Sequence, residues 1–272
     1  MKKLISLFLG VSVLLLAACS KQPDTASSEQ KNDAAGLQTV VIASTGSDAD
    51  IWRHIASLPE TKAAGIKLEV KNFTDYVAMN TAVANKEVDL NAFQSYAYLV
   101  AFNAANKDKI APVSTTYLEP MGIYSNKVKK VEEFAQGATI AIPNDGANES
   151  RALLLLQSAG LIKLKPDFDP VKGTPADIIE NSKKIVIKPI QMATAVRVKD
   201  EVDAILLGNT LAMEGGLNVL KDAIFYEPID QSTKLNVNIL ATAESRKDDP
   251  VLQKVGALYH TEAVKQYVQE HF

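Results

Sequence analysis

The stretch IAIPNDGANESRALLLLQSAGLI, residues 140–162, decides how this chain is read. A nearly unbroken apolar run reaches Pro143, a polar turn follows, and a helical pattern then runs from about Asn148 to Gly160. An apolar run without alternation describes a strand covered on both faces, as in a parallel sheet. Strand, polar turn and helix together make one βα unit. Asn148 and Arg151, three apart in the first helical turn, share a face. The guanidinium of Arg151 is mildly unfavourable at the positive end of a helix dipole, so a bound anion would complete it. Helix-start N–H groups, the dipole and the guanidinium form a carboxylate receptor; the alternative is a solvated arginine.

Working outward, the same rhythm recurs. Thr39–Ser44, Lys67–Phe73, Val88–Phe93, Thr139–Asn144, Ile185–Ile190, Val202–Gly208 and Leu235–Thr242 read as strands. Ala49–Ser57, Tyr76–Asn85, Tyr98–Asn106, Asn148–Ala159, Thr210–Gly215 and Pro250–Phe272 read as helices. This alternation predicts an α/β protein with doubly wound sheets. Two long extended segments stand apart, PVSTTYLEPMGIYS (112–125) and YEPIDQSTKLNVNILAT (226–242). They are either paired crossings between two lobes or two edge strands with irregular turns.

The N-terminus has a different composition. Lys2 and Lys3 precede a largely apolar region thirteen residues long, Leu4 to Leu16, and then Ala17, Ala18 and Cys19, the layout of a secretory signal. The apolar run is too short to span a bilayer, which needs roughly 20 residues. LAAC at 16–19 resembles the lipobox of bacterial lipoproteins, which implies cleavage before Cys19 and its acylation. Multiple acyl chains make a lasting anchor, so Cys19 reads as the lipidation site and the membrane as a partner. Residues 20–36 hold no aromatic or branched aliphatic side chain and read as a flexible tether. Cys19 is the only cysteine, so no disulfide staples the body. The formal charge of −3 becomes two units more negative once Lys2 and Lys3 are removed, which argues against nucleic acid as a partner.

Chemistry-bearing motifs are missing. His54, His260 and His271 are scattered without metal spacing, and there is no HExxH, CxxC, Gly-rich phosphate loop or GxSxG elbow. No nucleophile–base pair, metal site or cofactor is expected. Polar groups placed at strand ends remain: LGNT at 207–210, and Phe93, Ser95, Tyr96 and Tyr98 within VDLNAFQSYAYL at 88–99. Those aromatics fill either a core or a pocket.

Four motifs in one order, EVDLNAFQSYAYL (87–99), YLEPMGIYS (117–125), IAIPNDGANESRALLLLQSAGLIKL (140–164) and VDAILLGNTLAMEGGLN (202–218), closely resemble the methionine-binding lipoprotein family. The resemblance runs from about residue 38 to the C-terminus and includes the lipobox. It implies a two-lobed periplasmic-binding-protein fold whose doubly wound sheets are joined by two crossing strands, near 119–125 and 228–240. The expected organisation is signal peptide 1–18, lipidated N-terminus and tether 19–36, lobe one 37–121 with 236–272, and lobe two 122–235. By the same resemblance Arg151 pairs the ligand carboxylate, beside Asn148, Asn209 and Asn236. Tyr76, Phe93 and Tyr98 wall the ligand side chain, and Asn144 shapes the loop. Two positions depart from the family pattern. Ser95 stands where members read FQH, and Gly46-Ser47-Asp48 stands where many read Gly-Pro-His. The implied function is a lipid-anchored receptor for an amino acid, methionine or a relative, serving an ABC permease and its ATPase. It is expected as a monomer in the bacterial cell envelope, with its body in the periplasm or outside the cell. The competing readings are an enzyme on the same fold and a surface lipoprotein of adhesion or envelope assembly.

Overall fold

The computed structural model describes residues 36–271. The expected signal peptide, Cys19 and the expected tether through residue 35 lie outside the described residues, as does Phe272. The chain opens with β1 (Gln38–Ser44), α1 (Gly46–Ser57), α2 (Pro59–Ala63), β2 (Ile66–Asn72), α3 (Tyr76–Ala84), β3 (Leu90–Ser95) and α4 (Tyr96–Ala105). There follow β4 (Ile110–Leu118), β5 (Met121–Tyr124), β6 (Thr139–Pro143), α5 (Gly146–Ser158), β7 (Lys163–Leu164), β8 (Ile178–Glu180) and β9 (Val186–Ile190). The last elements are β10 (Ala204–Gly208), α6 (Asn209–Glu214), α7 (Val219–Asp222), β11 (Phe225–Tyr226), β12 (Val237–Ala243), α8 (Pro250–Tyr259) and α9 (Glu262–His271).

Two five-stranded sheets organise these elements, in the orders β2-β1-β3-β12-β4 and β11-β5-β10-β6-β9. Each combines a parallel half with an antiparallel half. β1 runs parallel to β2 and β3, while β12 runs antiparallel to β3 and β4. In the second sheet β6 runs parallel to β10 and β9, while β5 runs antiparallel to β10 and β11. Uniformly parallel sheets do not form, because strands that enter after a crossing meet their new sheet from the opposite side. β7 and β8 form a separate hairpin.

Apolar runs sit where two-sided burial demands them. Ile140 and Ile142 of β6 and Leu206 of β10 pack on Leu153 and Leu156 of α5. Val40 and Ile42 of β1 pack with Ile51, Trp52 and Ile55 of α1 and with Leu252 and Val255 of α8. A second layer under the first sheet holds Met79 and Val83 of α3 with Phe102 of α4. Ile185–Ile190, read as a strand, lies at the sheet edge with Val186 half exposed. Pro189, which cannot donate to a ladder, is tolerated only there.

The two extended segments are both broken. Glu119 and Pro120 separate β4, in the first sheet, from β5, in the second. The return passes through a 3₁₀ turn, Gln231–Asn236, before β12 re-enters the first sheet, so it is a looped connection rather than a crossing strand. The C-terminal helix expected over 250–272 is two helices. At the break His260 N–H bonds Ala257 O and the Thr261 hydroxyl bonds Leu258 O, so a threonine side chain takes a carbonyl that a continuing helix would use.

Candidate functional site

Ligands of open α/β sheets bind outside the carboxyl ends of the strands, and four such ends converge here. β1 leads into Thr45 and Asp48, β3 ends at Ser95, β6 leads into α5, and β10 ends at Gly208. A recess of about 40 Å³ is lined from the first sheet by Asp48, Tyr76, Phe93, Gln94, Ser95 and Tyr98. Glu119 lines it at the link between the sheets, Asn238 from β12, and Asn148, Arg151, Met192 and Thr210 from the second sheet. It shares Thr45, Tyr76, Tyr98, Met192 and Leu211 with an outer cavity of about 290 Å³, where Asp75, Asn144, Asp145 and Glu214 join the wall. Together these reach the small end of ligand sites, roughly 300 Å³ and upward.

Arg151 is positioned by α5, whose N-cap Asp145 accepts from Asn148 N–H at 3.1 Å. Its guanidinium is buried and already engaged. Nε donates to Glu227 Oε1 at 2.8 Å, and Nη2 donates to Glu227 Oε2 and to the Glu119 carbonyl, both at 2.5 Å. Glu227 also accepts from Met121 N–H and from the Asn236 amide. Nη1 makes no bond among the described residues, so one edge of the fork is available to a ligand in the recess.

Beside this neutralised pair sits an acidic group. Glu119 accepts from Thr210 N–H at 2.6 Å, from the Thr210 hydroxyl at 3.2 Å and from the Asn238 amide at 3.1 Å. A Cβ on Gly208 would stand 2.9 Å from Glu119 Oε1, so glycine is what lets this carboxylate approach the strand end. Asp48 accepts from the Tyr117 hydroxyl at 2.7 Å. Burial above all, then Glu119 and Glu214, push its carboxyl up to about 8, against the pull of the Tyr117 bond.

The third component is apolar. Tyr76, Phe93 and Tyr98 stand 5.1 to 6.3 Å apart between ring centroids, in tilted and edge-on pairs. Burial first, and then neighbouring acids, hold both phenols well above their ordinary range, so they stay neutral. The wall rests on an amide cluster. Asn80 Nδ2 donates to Gln94 Oε1, and Asn91 Nδ2 and Gln94 Nε2 both donate to Asn80 Oδ1, at 2.7 to 3.0 Å.

Of the residues expected from the sequence, Tyr76, Phe93, Ser95, Tyr98, Asn148 and Arg151 come together around the recess. Two asparagines do not line it. Asn209 donates to Met213 Sδ within its own helix, while its neighbour Thr210 meets Glu119. Asn236 ends the 3₁₀ turn and bonds Glu227; Asn238, two residues on, reaches the recess. Ser95 does line it, but its hydroxyl caps α4 by accepting from Tyr98 N–H at 3.2 Å. Asn148 turns its amide onto Asp145. Reading the sequence missed Glu119, Thr210, Glu227 and Asn238. The first two lie inside the quoted motifs YLEPMG and LGNT, and only long-range contact gives them a role. The histidines serve packing: His54 stacks on Tyr267 at 4.0 Å, and His260 bonds Ser114. Among the described residues no cluster of side chains could hold a metal ion.

Comparison with known proteins places this cleft in a family. The model of the NlpA lipoprotein family matches residues 40–272. The chain belongs to the NlpA lipoprotein family. One relative, named "Probable D-methionine-binding lipoprotein MetQ" from Pasteurella multocida, is 35% identical over 270 residues, covering 99% of this chain and 96% of that protein. A nutrient-binding protein from Burkholderia cenocepacia, solved bound to methionine, is 34% identical with a TM-score of 0.80, covering 86% of this chain and 96% of that one. The substrate-binding protein of a methionine transporter from Streptococcus pneumoniae is 39% identical with a TM-score of 0.78, covering 85% and 92%. The resemblance drawn from the four motifs therefore holds, and so does the two-lobed α/β fold. The chain is thus an NlpA-family lipoprotein whose relatives include proteins named for solute binding in transport.

Proposed function

We propose that this protein is the lipid-anchored receptor of an ABC importer, that it captures an α-amino acid between its lobes, and that the acid is methionine or a close relative. The observation carrying this reading is the adjacency of an acidic group and a guanidinium in one recess. The Glu119 carbonyl accepts from Arg151 while its carboxylate sits in the acidic group, so cation and anion sites adjoin. An α-amino acid hangs both charges from one carbon and so calls for adjoining sites of this kind. In this reading Arg151 Nη1 takes the carboxylate, Asn148 lines the same end and releases Asp145 to join it, Asp48 and Glu119 face the ammonium, and Tyr76, Phe93 and Tyr98 enclose the side chain. A thioether gains from aromatic edges, which favours methionine over a purely aliphatic acid. Closure of the lobes excludes water and strengthens each charged bond. The acylated Cys19 keeps the monomeric receptor at the membrane, within reach of its permease and ATPase.

Native mass spectrometry of protein purified without added ligand tests this. The expected spectrum shows the apo mass plus one amino acid, displaced by excess methionine. A spectrum without any adduct, together with no binding heat from any of the twenty amino acids, would overturn the receptor reading.

A further inference from the structure

Three contacts link the two acids of the recess: Asp48 to the Tyr117 hydroxyl at 2.7 Å, Tyr117 to the Thr210 hydroxyl at 3.3 Å, and Thr210 to Glu119 Oε2 at 3.2 Å. Two hydroxyls supply two protons for these three contacts. If Tyr117 donates to Asp48 and Thr210 donates to Glu119, the middle contact has no hydrogen. A third proton completes the chain.

The charges point the same way. Asp48 is 4% exposed and Glu119 is 7% exposed. The groups facing Asp48 are Tyr117 from β4, Glu119 from the inter-sheet link, Glu214 from α6, Tyr76 from α3 and Tyr259 from α8. None is a cation. β2 turns Ile66, Leu68 and Val70 toward α1, while Lys67 and Glu69 pair in solvent, and α9 meets α1 at its far end through the His54–Tyr267 stack. Arg151, the cation that lines the recess, is held by Glu227. Two buried carboxylates without a counter-ion cannot both stay ionised cheaply.

We infer that Asp48 and Glu119 hold one shared proton in the ligand-free protein, placed on Asp48 and closing the hydroxyl chain, and that the ammonium of an arriving ligand expels it. Resting on the receptor reading, this adds that capture is a cation-for-proton exchange. With the proton in place, Asp48 O–H donates to Tyr117, Tyr117 to Thr210, and Thr210 to Glu119. On binding, the Asp48 O–H bond breaks and its proton leaves to solvent. Tyr117 then turns its hydrogen onto the carboxylate, and ligand N–H groups donate to the acids. The carboxyl of Asp48, pushed up to about 8 chiefly by its burial, keeps the proton bound at neutral pH.

The test is calorimetric titration with L-methionine at one pH in two buffers of contrasting ionisation enthalpy, phosphate and Tris. If methionine gives no heat, the remaining amino acids are used as titrants. The expected result is a buffer-dependent heat equal to about one proton released per ligand at pH 7, falling to about half near pH 8. Affinity should rise roughly tenfold per pH unit between pH 6 and 7, because the ligand no longer competes with the proton as pH increases. Asp48→Asn, which keeps shape and the Tyr117 bond, should abolish the release and flatten the pH dependence. Equal heats in both buffers for the wild type would overturn the exchange while leaving the receptor reading intact. A proton release by Asp48→Asn equal to that of the wild type would do the same. Absence of heat with all twenty amino acids would overturn both. Should the variant fail to fold, the two-buffer comparison on the wild type decides alone.

Discussion

Two buried carboxylates beside one recess are treated in opposite ways. Glu227 receives both arms of Arg151, the Met121 amide and the Asn236 side chain. Asp48 receives one tyrosine hydroxyl and looks toward two further acids. The first arrangement is scaffolding: it ties α5 to the inter-sheet return and fixes which edge of the guanidinium is free. The second is a deficit, and it assigns the missing positive charge to whatever binds. A receptor that paired all its acids internally would have no electrostatic reason to close.

The largest effect should come from breaking the satisfied pair. Arg151→Ala leaves Glu227 buried and unpaired, which costs about 3–5 kcal/mol of stability. It should also weaken amino-acid binding by roughly 30-fold to several thousand-fold. Adding Glu227→Gln should restore most of the thermal stability and little of the affinity, as read by denaturation and titration. Recovery of both together would mean that Arg151 acts only as scaffold.

Altering the unsatisfied acid should act in the other direction. The folded-state pKa of Asp48 is raised, so its contribution to stability is complete below the unfolded value of 3.8 and is lost as pH rises through about 8. Asp48→Asn has no such loss. The variant should gain on the wild type by up to about 1.4 kcal/mol per pH unit from pH 4, levelling near pH 8. Urea unfolding at pH 5, 7 and 9 checks this; parallel curves would show that Asp48 is not strained by burial.

The smallest effect concerns the aromatic side of the recess. Ser95→Ala removes the cap on Tyr98 N–H and should cost about 1 kcal/mol. Ser95→His loses the same cap and also adds an imidazole to the wall, so it should reorder side-chain preference in a titration panel. An unchanged order would show that Ser95 is a cap and nothing more.

What could be read in the sequence was local. β6, its polar turn and α5 follow from one apolar run and its helical successor, and the sharing of a face by Asn148 and Arg151 follows from helix geometry. The aromatic trio could be named, but only contact between β3, α3 and α4 makes it a wall. The seat of Arg151 could not be read, because Glu227 lies on a different element 76 residues away. Asn236 and Asn238 have the same strand parity; the 3₁₀ turn that takes Asn236 out of β12 has no clear signature in KLNVNIL. Asp48 stands out in the sequence as a departure from the family pattern, whereas its approach to Glu119 depends on Tyr117 and Thr210 from separate elements.

The most direct measurement of the charge arrangement compares three ligands of one shape by calorimetry. These are L-methionine, its methyl ester, which lacks the carboxylate, and 4-(methylthio)butanoate, which lacks the ammonium. Loss of either charge should weaken binding by roughly 30-fold or more, the ester through Arg151 and the des-amino acid through Asp48 and Glu119. Binding of the des-amino acid as tightly as methionine would contradict the account, because two buried acids would then be closing over a ligand that brings them no cation.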